Sequence, residues 1–278
     1  MVFTSTMGAY MSLRSFWLFA LITLAIPTGV QGACRNIDLA DKGIKSLFSV
    51  ATAHAGSRSV RIEFYGHNFF QIASSRGTRV FTDPFGPIGY PMPDVSGHIV
   101  TVGREQGNHN NVALIKGSPK VFRGISGFGS NWTRIQTTVR DVLLYNIPIY
   151  QRGFAGHLKG AAFVFEMDGL CVAHLGDLSD KLNSDQLELI GRVDIALVPI
   201  GGRFTMDAAT ALEVLKQLKP KIAVPMHYWN YSGALETFTS GPFKAEFFST
   251  STFTISKESL PTATTIYVLK SPDRWNYQ

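Results

Sequence analysis

The chain has 278 residues, 45% of them hydrophobic and only 17% charged. That much apolar mass can offset chain entropy by burial, so disorder is excluded as the main state. Lys and Arg number 26 against 20 Asp and Glu, a formal charge of +6. No run of five or six basic residues accompanies it, which argues against a nucleic-acid partner. Two cysteines exclude a disulfide framework and a Cys-rich zinc module, leaving any metal to His, Asp, Asn or Glu.

In chain order, Arg14 precedes an apolar run over residues 16–26 that Pro27 and Gly29 break, with small Gly32 and Ala33 behind it. This order predicts a signal peptide over residues 1–33, cleaved after Gly32 or Ala33, and so an exported protein, periplasmic or secreted. The run falls short of the ~20 residues a membrane span needs; a retained N-terminal anchor is the alternative. Gly32-Ala33-Cys34 fits a lipobox except at Gln31, where that motif has an aliphatic residue, so a lipid anchor at Cys34 is open. Cys171, inside an apolar strand, reads as a small core residue, although an exported protein also permits a Cys34–Cys171 disulfide.

A polar lead-in, residues 34–59, precedes one domain over residues 60–278. Strands are predicted at 60–65 (VRIEFY), 69–73 (FFQIA), 79–82 (RVFT), which stops at Asp83-Pro84, and 98–102 (HIVTV). Residues 142–149, 161–167 and 170–174 follow as strands, the last two joined at the Asp168-Gly169 turn. Asn183 with Gln186 predicts a capping box for a helix to about residue 190. Residues 194–200 (DIALVPI) read as a fully buried strand. Thr205 is the predicted cap of the next helix, with Asp207 in its first turn and Pro220 closing it. Residues 222–225 form one more buried strand. Sheets with helices outside them, a single α/β domain, is the expected architecture.

Chemistry is sought among seven histidines: His54, His67, His98, His109, His157, His174 and His227. No two stand at the i, i+2 or i, i+4 spacing of a local zinc pair. Four potential ligands, His109, His157, Asp177 and His227, lie at or near strand ends, where loops converge on a shared crevice; the spacing alone is equally that of four unrelated loop residues. His174 reads as a core histidine. Trp132 and Tyr228-Trp229 are candidates for a pocket floor or for ordinary packing. Asn131-Trp132-Thr133 and Asn230-Tyr231-Ser232 are glycosylation sequons where a eukaryotic secretory pathway applies. The glycine-containing stretch 124–129 lacks the Lys and setting of a phosphate loop.

The segments YGHNFFQI…TDPFG (residues 65–86), HLGDLSD (174–180) and PMHY (225–228) together resemble the metallo-β-lactamase superfamily, in a branch similar to ascorbate-6-phosphate lactonase. The resemblance implies a four-layer αββα sandwich with a one- or two-zinc site at the sheet edge that activates water. It also implies ligand roles for His157, bridging Asp177 and His227, and a place for His67 behind the ligands. Asp83-Pro84 reads separately as shaping a strand end, with contact to the site as the alternative. The family's His-x-His-x-Asp-His signature is degenerate: Arg104, Gln106 and Asn108 replace its first His, second His and Asp, and only His109 matches. Arg104 places a permanent cation where the first metal would lie and can pair with Asp177 instead. The second metal's set, Asn108, His109, Asp177 and His227, is better preserved, although the Asn108 amide cannot accept a proton as an aspartate can.

Two functions follow. One is an exported hydrolase carrying one divalent metal, zinc first, on His109, Asp177 and His227 with Asn108 and His157, acting on an ester, lactone or phosphoester; Asn108, Asp177 and Arg104 are its candidate catalytic groups. The other is a non-catalytic relative whose cleft binds an anionic small molecule or partner through Arg104 and His157, without metal.

Overall fold

The computed structural model describes residues 1–2, 34–35, 58–127, 129–154, 156–228 and 233–272. Residues 3–33 of the predicted signal peptide, His54, Trp229 and the sequon at 230–232 lie outside the described residues. The chain divides at residue 31, and the second unit carries everything below.

The first half is strand after strand: β1 (Ser59–Gly66), β2 (Phe69–Ala73), β3 (Arg79–Thr82), β4 (Ile99–Val102), β5 (Lys120–Arg123), β6 (Gln136–Val139), β7 (Val142–Gly153), β8 (Gly156–Met167) and β9 (Leu170–His174). Helices then alternate with strands: α1 (Ser184–Ile190), β10 (Ile195–Pro199), α2 (Ala208–Leu218), β11 (Ile222–Met226), α3 (Ala234–Thr239), β12 (Lys244–Phe247), β13 (Thr252–Ser256) and β14 (Thr265–Val268). One sheet runs β13-β1-β2-β3-β4-β5 and the other β6-β7-β8-β9-β10-β11-β14-β12. Strands β9, β10 and β11 are parallel neighbours, as are β3, β4 and β5, so their C-terminal ends collect along one edge of the sandwich.

Burial explains the layers. Val60, Ile62 and Phe64 alternate along β1, the period of a sheet face, and meet Leu144, Phe163, Val172 and Leu197 of the second sheet in an inter-sheet core. Strands β10 and β11 are buried at every position because both faces are covered. On the far face of the second sheet, Ala173, Ala196 and Val198 pack under the helices, against Ala208, Ala211, Val214 and Leu215 of α2, whose spacing is one helical stripe. The outer face of the first sheet is covered differently. There Phe69, Phe81 and Val100 pack against Phe85, Tyr90 and Ile115, so among the described residues this fourth layer is loop chain with a short 3-10 turn, Val112–Leu114, and a two-residue strand pair, Val95–Ser96 with Ile115–Lys116, rather than an α-helix.

Local corrections are few. The predicted capping box at Asn183 and Gln186 is present. The α2 cap, however, is Asp207, which accepts from the Thr210 N–H at 2.8 Å, whereas Thr205 is buried and donates to the Met206 carbonyl. β7 and β8 extend past their predicted limits into one long hairpin, paired as far as Gly153 with Gly156. Cys34 and Cys171 form a disulfide. A sulfur bonded to Cys171 has no thiol left for acylation, so the lipid-anchor expectation at Cys34 is overturned. No helix among the described residues is long and apolar enough to cross a membrane.

Candidate metal centre

Six chain segments meet at the edge where the parallel strands end. The β1–β2 turn carries His67 and Asn68, the end of β3 carries Asp83, and the loop after β4 carries Arg104, Asn108 and His109. Asp177 follows β9, the segment after β10 supplies Gly201, and His227 follows β11. His67, Asp83 and His227 adopt φ of 53°, 41° and 53°, a left-handed backbone unusual for non-glycine residues. Such strain persists where surrounding structure over-determines it, typically at functional sites. Gly103 and Gly201 are needed for close approach: a Cβ on Gly103 would stand 2.5 Å from the Ala161 carbonyl oxygen, and one on Gly201 2.0 Å from that of His227.

Asp177 is the hub. Its Oδ1 accepts from Asn68 Nδ2 at 2.8 Å, and its Oδ2 accepts from the Arg104 guanidinium; both ionic side chains are buried. His109 Nε2 is 3.4 Å from Oδ2 and His227 Nε2 is 3.5 Å from Oδ1. His67 Nε2 lies 3.2 Å from His109 Nε2 and 3.0 Å from the Asn108 amide nitrogen. The other nitrogen of His109, Nδ1, faces Asp83 Oδ2 at 3.1 Å. Asp83 is itself fixed, its Oδ1 accepting from the Gly103 N–H at 2.7 Å, and the His227 N–H donates to the His67 carbonyl at 3.0 Å.

The electrostatics follow from burial and charge. Burial alone would favour a neutral Asp177, but His109, His227 and Arg104 outweigh it and hold the carboxyl well below the usual carboxylate range. Burial disfavours a charged His109, yet Asp177 and Asp83 prevail and raise it above the ordinary imidazole value. His227 goes the other way, lowered by burial, with His109 and Arg104 opposing the pull of Asp177. His174 is also lowered by burial; its Nε2 donates to the Asn68 carbonyl at 2.9 Å, steadying the turn that bears His67.

This arrangement fits one divalent ion. The candidate donor nitrogens of His67, His109 and His227 all lie within 4.8 Å of one another. Ligands ~2.0–2.1 Å from a tetrahedral ion stand roughly 3.3–3.4 Å apart, close to the 3.2 Å between His67 Nε2 and His109 Nε2, while the two Asp177 oxygens lie 3.4 and 3.5 Å from His109 and His227. Asp83 on His109 Nδ1 is the carboxylate behind a ligating histidine that such sites use to fix ring and tautomer. Arg104 takes the same Asp177 oxygen that faces His109, Oδ2, and so brings a fixed positive charge against the cluster.

The structure brings His109, Asp177, His227, Asn108 and Arg104 together, but not His157. In β8 it pairs opposite Arg152, its side chain is 58% exposed, and its Nε2 lies 3.2 Å from Asp180. The long hairpin turns this side chain away from the three-histidine cluster. Gln106 is exposed, and its carbonyl accepts the His109 N–H. His67 and Asp83, expected beside the site, are in it. Their signal was positional, since each follows a strand end as the other members do.

Residues 61–227 match the family described as the beta-lactamase superfamily domain. The UPF0173 metal-dependent hydrolase of Pyrococcus abyssi is 30% identical over 194 residues, covering 61% of this chain and 84% of the relative. That of Thermococcus onnurineus is 29% identical over 197 residues, with the same coverage. Among solved structures, a Thermotoga maritima protein of the metallo-beta-lactamase superfamily has 28% identity and a TM-score of 0.55, over 76% of this chain and 98% of that one. A Parabacteroides distasonis protein, 17% identical with a TM-score of 0.54 over 77% and 94% of the two chains, shares the fold.

Proposed function

The chain belongs to the beta-lactamase superfamily, and from that premise we propose that it is an exported hydrolase with one divalent metal, zinc in the first instance, acting on a small ester, lactone or phosphoester. The observation that carries the reading is the convergence of three buried imidazoles within 4.8 Å of one another beside the Asp177 carboxylate, with His109 held by Asp83. Three imidazoles suit zinc and leave a fourth position open for water, with the Asp177 carboxylate beside them. An ion held there supplies a water of lowered pKa and a Lewis acid for the scissile group.

The chain's own groups divide the remaining work. Asp177 stays ionised. Arg104 supplies one fixed positive charge at Asp177 Oδ2, which helps keep that carboxylate ionised. Asp83 and Asp177 are both engaged by donors, so neither is a free general base, and the Asn108 amide cannot accept a proton. Proton removal therefore rests on water acidity, and turnover is expected to rise with pH. His67 and His227 are each slightly exposed while His109 is sealed, which leaves the open side of the cluster between the first two.

Export is supported by the apolar run at residues 16–26 and by the Cys34–Cys171 disulfide, a bond that persists in oxidising compartments. A metal-free relative is the second reading, favoured by Arg104, which already neutralises Asp177. Metal content separates the two. Protein purified without chelator and reconstituted with zinc is expected to hold about one ion per chain, lost in His227→Ala. Content well below one ion in the wild type overturns the hydrolase reading. N-terminal sequencing of the protein from a secreting host tests export, with a start after Gly32 or Ala33 as the expected result.

A further inference from the structure

Beside the metal cluster stands a wall built from three segments hydrogen-bonded to one another. The Arg152 N–H of β7 donates to the Phe204 carbonyl at 3.0 Å, the Ser179 N–H to the Tyr150 carbonyl at 3.0 Å, and the Met206 N–H to the Leu178 carbonyl at 2.8 Å. The wall therefore includes the residues that immediately follow Asp177. Phe204 links it to the centre, because the Arg104 guanidinium that binds Asp177 lies 5.7 Å from the centroid of its ring.

A second guanidinium shares that ring. Arg203 lies 5.1 Å from the Phe204 centroid and 6.0 Å from that of Phe154, and the two rings meet edge to face at 5.3 Å. Phe154, near the tip of the β7–β8 hairpin, is 89% exposed, so its ring is open to a ligand beside Arg203. Arg203 differs from the other arginines around the edge. Arg104 pairs with Asp177, Arg123 with Glu105 and Arg152 loosely with Asp180, whereas no carboxylate among the described residues pairs with Arg203. A guanidinium resting on aromatic faces keeps its planar fork of N–H donors in position, and that fork matches the oxyanions of carboxylate and phosphate.

Resting on the hydrolase reading above, we propose that Arg203, over Phe154 and Phe204, binds an anionic group of the substrate at a distance from the bond to be broken. The substrate is then a hydrolysable ester, lactone or phosphoester that also carries a carboxylate or phosphate, with an apolar body lying on the exposed ring of Phe154. Arg203 acts here as a specificity-determining residue, separate from the groups that handle water.

Two measurements decide it. In the first, benzoate, phenyl phosphate and neutral benzyl alcohol are titrated calorimetrically into the wild type, Arg203→Gln and Arg203→Lys, as purified and after zinc addition. The anions are expected to bind more tightly than the alcohol. Arg203→Gln should weaken them by about tenfold or more, the scale of a lost charge-assisted hydrogen bond, and Arg203→Lys by less. Anion affinity equal in Arg203→Gln and wild type, or no preference for anion over alcohol in the wild type, overturns the proposal. In the second, zinc-loaded protein is given 4-nitrophenyl acetate and mono-4-nitrophenyl succinate. The kcat/KM ratio of the anionic to the neutral ester should fall in Arg203→Gln; an unchanged ratio overturns the subsite while leaving the hydrolase standing. If neither ester is cleaved, the hydrolase reading loses support and the binding titration still decides the role of Arg203.

Discussion

The two edges of the sandwich are built on opposite principles. At the edge where the parallel strands end, Asp177, Asp83, Arg104, His109, His67 and His227 are all buried, three of them on left-handed backbone. Asn68 Oδ1, Arg104 Nε and His174 Nδ1 are buried there without a hydrogen-bond partner among the described residues. At the edge where the strands begin, turns are tied off. Asp168 accepts both the N–H and the hydroxyl of Ser75, Asp141 accepts the Thr78 hydroxyl, and Asp194 accepts the Cys171 N–H and pairs with Arg192. Cys34 is stapled alongside, covalently to Cys171 and through its carbonyl to the Arg192 N–H. Left-handed residues occur at both edges, but the buried histidines and their ionic partners gather at the first, while the second ties strand starts together. Substitutions at the two edges should therefore separate ligand binding from stability.

The largest effect is expected at Asp177→Asn. It leaves the buried Arg104 cation without its carboxylate, and breaking one half of a buried pair costs about 3–5 kcal/mol. Urea unfolding should show that loss together with loss of bound metal. The pH dependence carries a sign. Because the folded carboxyl is held below its unfolded value, it contributes stability above the ordinary carboxylate range, lost as pH falls below about 4. Asp177→Asn should flatten that acid limb. A variant that keeps both wild-type stability and metal would mean the pair is not what holds this edge together.

The second effect belongs to the opposite edge. Replacing Cys34 and Cys171 together by serine opens a bond between residues 137 apart in sequence, and losing such a link costs about 2–5 kcal/mol. The melting temperature should drop, and reductant should lower that of the wild type but not of the variant. Metal stoichiometry should be unchanged in the folded protein. Loss of metal with the disulfide would show that the edges are coupled.

Much of the fold was legible in the chain. β1 shows an alternating pattern, and β10 and β11 are apolar throughout, the two patterns left by one-sided and two-sided burial. The extension of β7 and β8 was not, because residues 150–160 mix glycine with polar side chains and their pairing depends on the partner strand. Nor was the α2 cap, since Thr205 and Asp207 are both cap-forming types two residues apart and the buried contact of Thr205 decided between them. In the site, Arg104, Asn108, His109, Asp177 and His227 could be picked out through strand ends and family resemblance. His67 was expected behind the ligands and His157 among them. Their exchange is a tertiary matter: left-handed backbone after Gly66 aims one inward, and hairpin register aims the other out.

A third expectation concerns the carboxylate behind the metal. Asp83→Asn keeps the shape of the side chain and tolerance of left-handed backbone, but withdraws the charge facing His109 Nδ1. Removing such a partner lowers metal affinity about 10- to 100-fold, roughly 1.4–2.7 kcal/mol at 1.36 kcal/mol per decade. Competition with a chromophoric chelator measures it. Unchanged affinity would place the ion away from His109.

The smallest effect makes the contrast cleanest. Asp168 is the counterpart of Asp83 at the other edge: also an aspartate, also left-handed at φ 51°, also accepting from a backbone N–H, here that of Ser75 at 2.7 Å. Asp168→Asn therefore repeats the same substitution on the same kind of backbone, so strain does not distinguish the two variants. What differs is the partner. Asp168 ties an exposed turn, and weakening its bonds to Ser75 should cost about 0.5–1.5 kcal/mol in urea unfolding, with no change in chelator competition. Asp83→Asn should move metal affinity by more than it moves the unfolding of the metal-free protein. Equal losses of metal affinity from both aspartates would make the effect one of general loosening rather than of the charge behind His109.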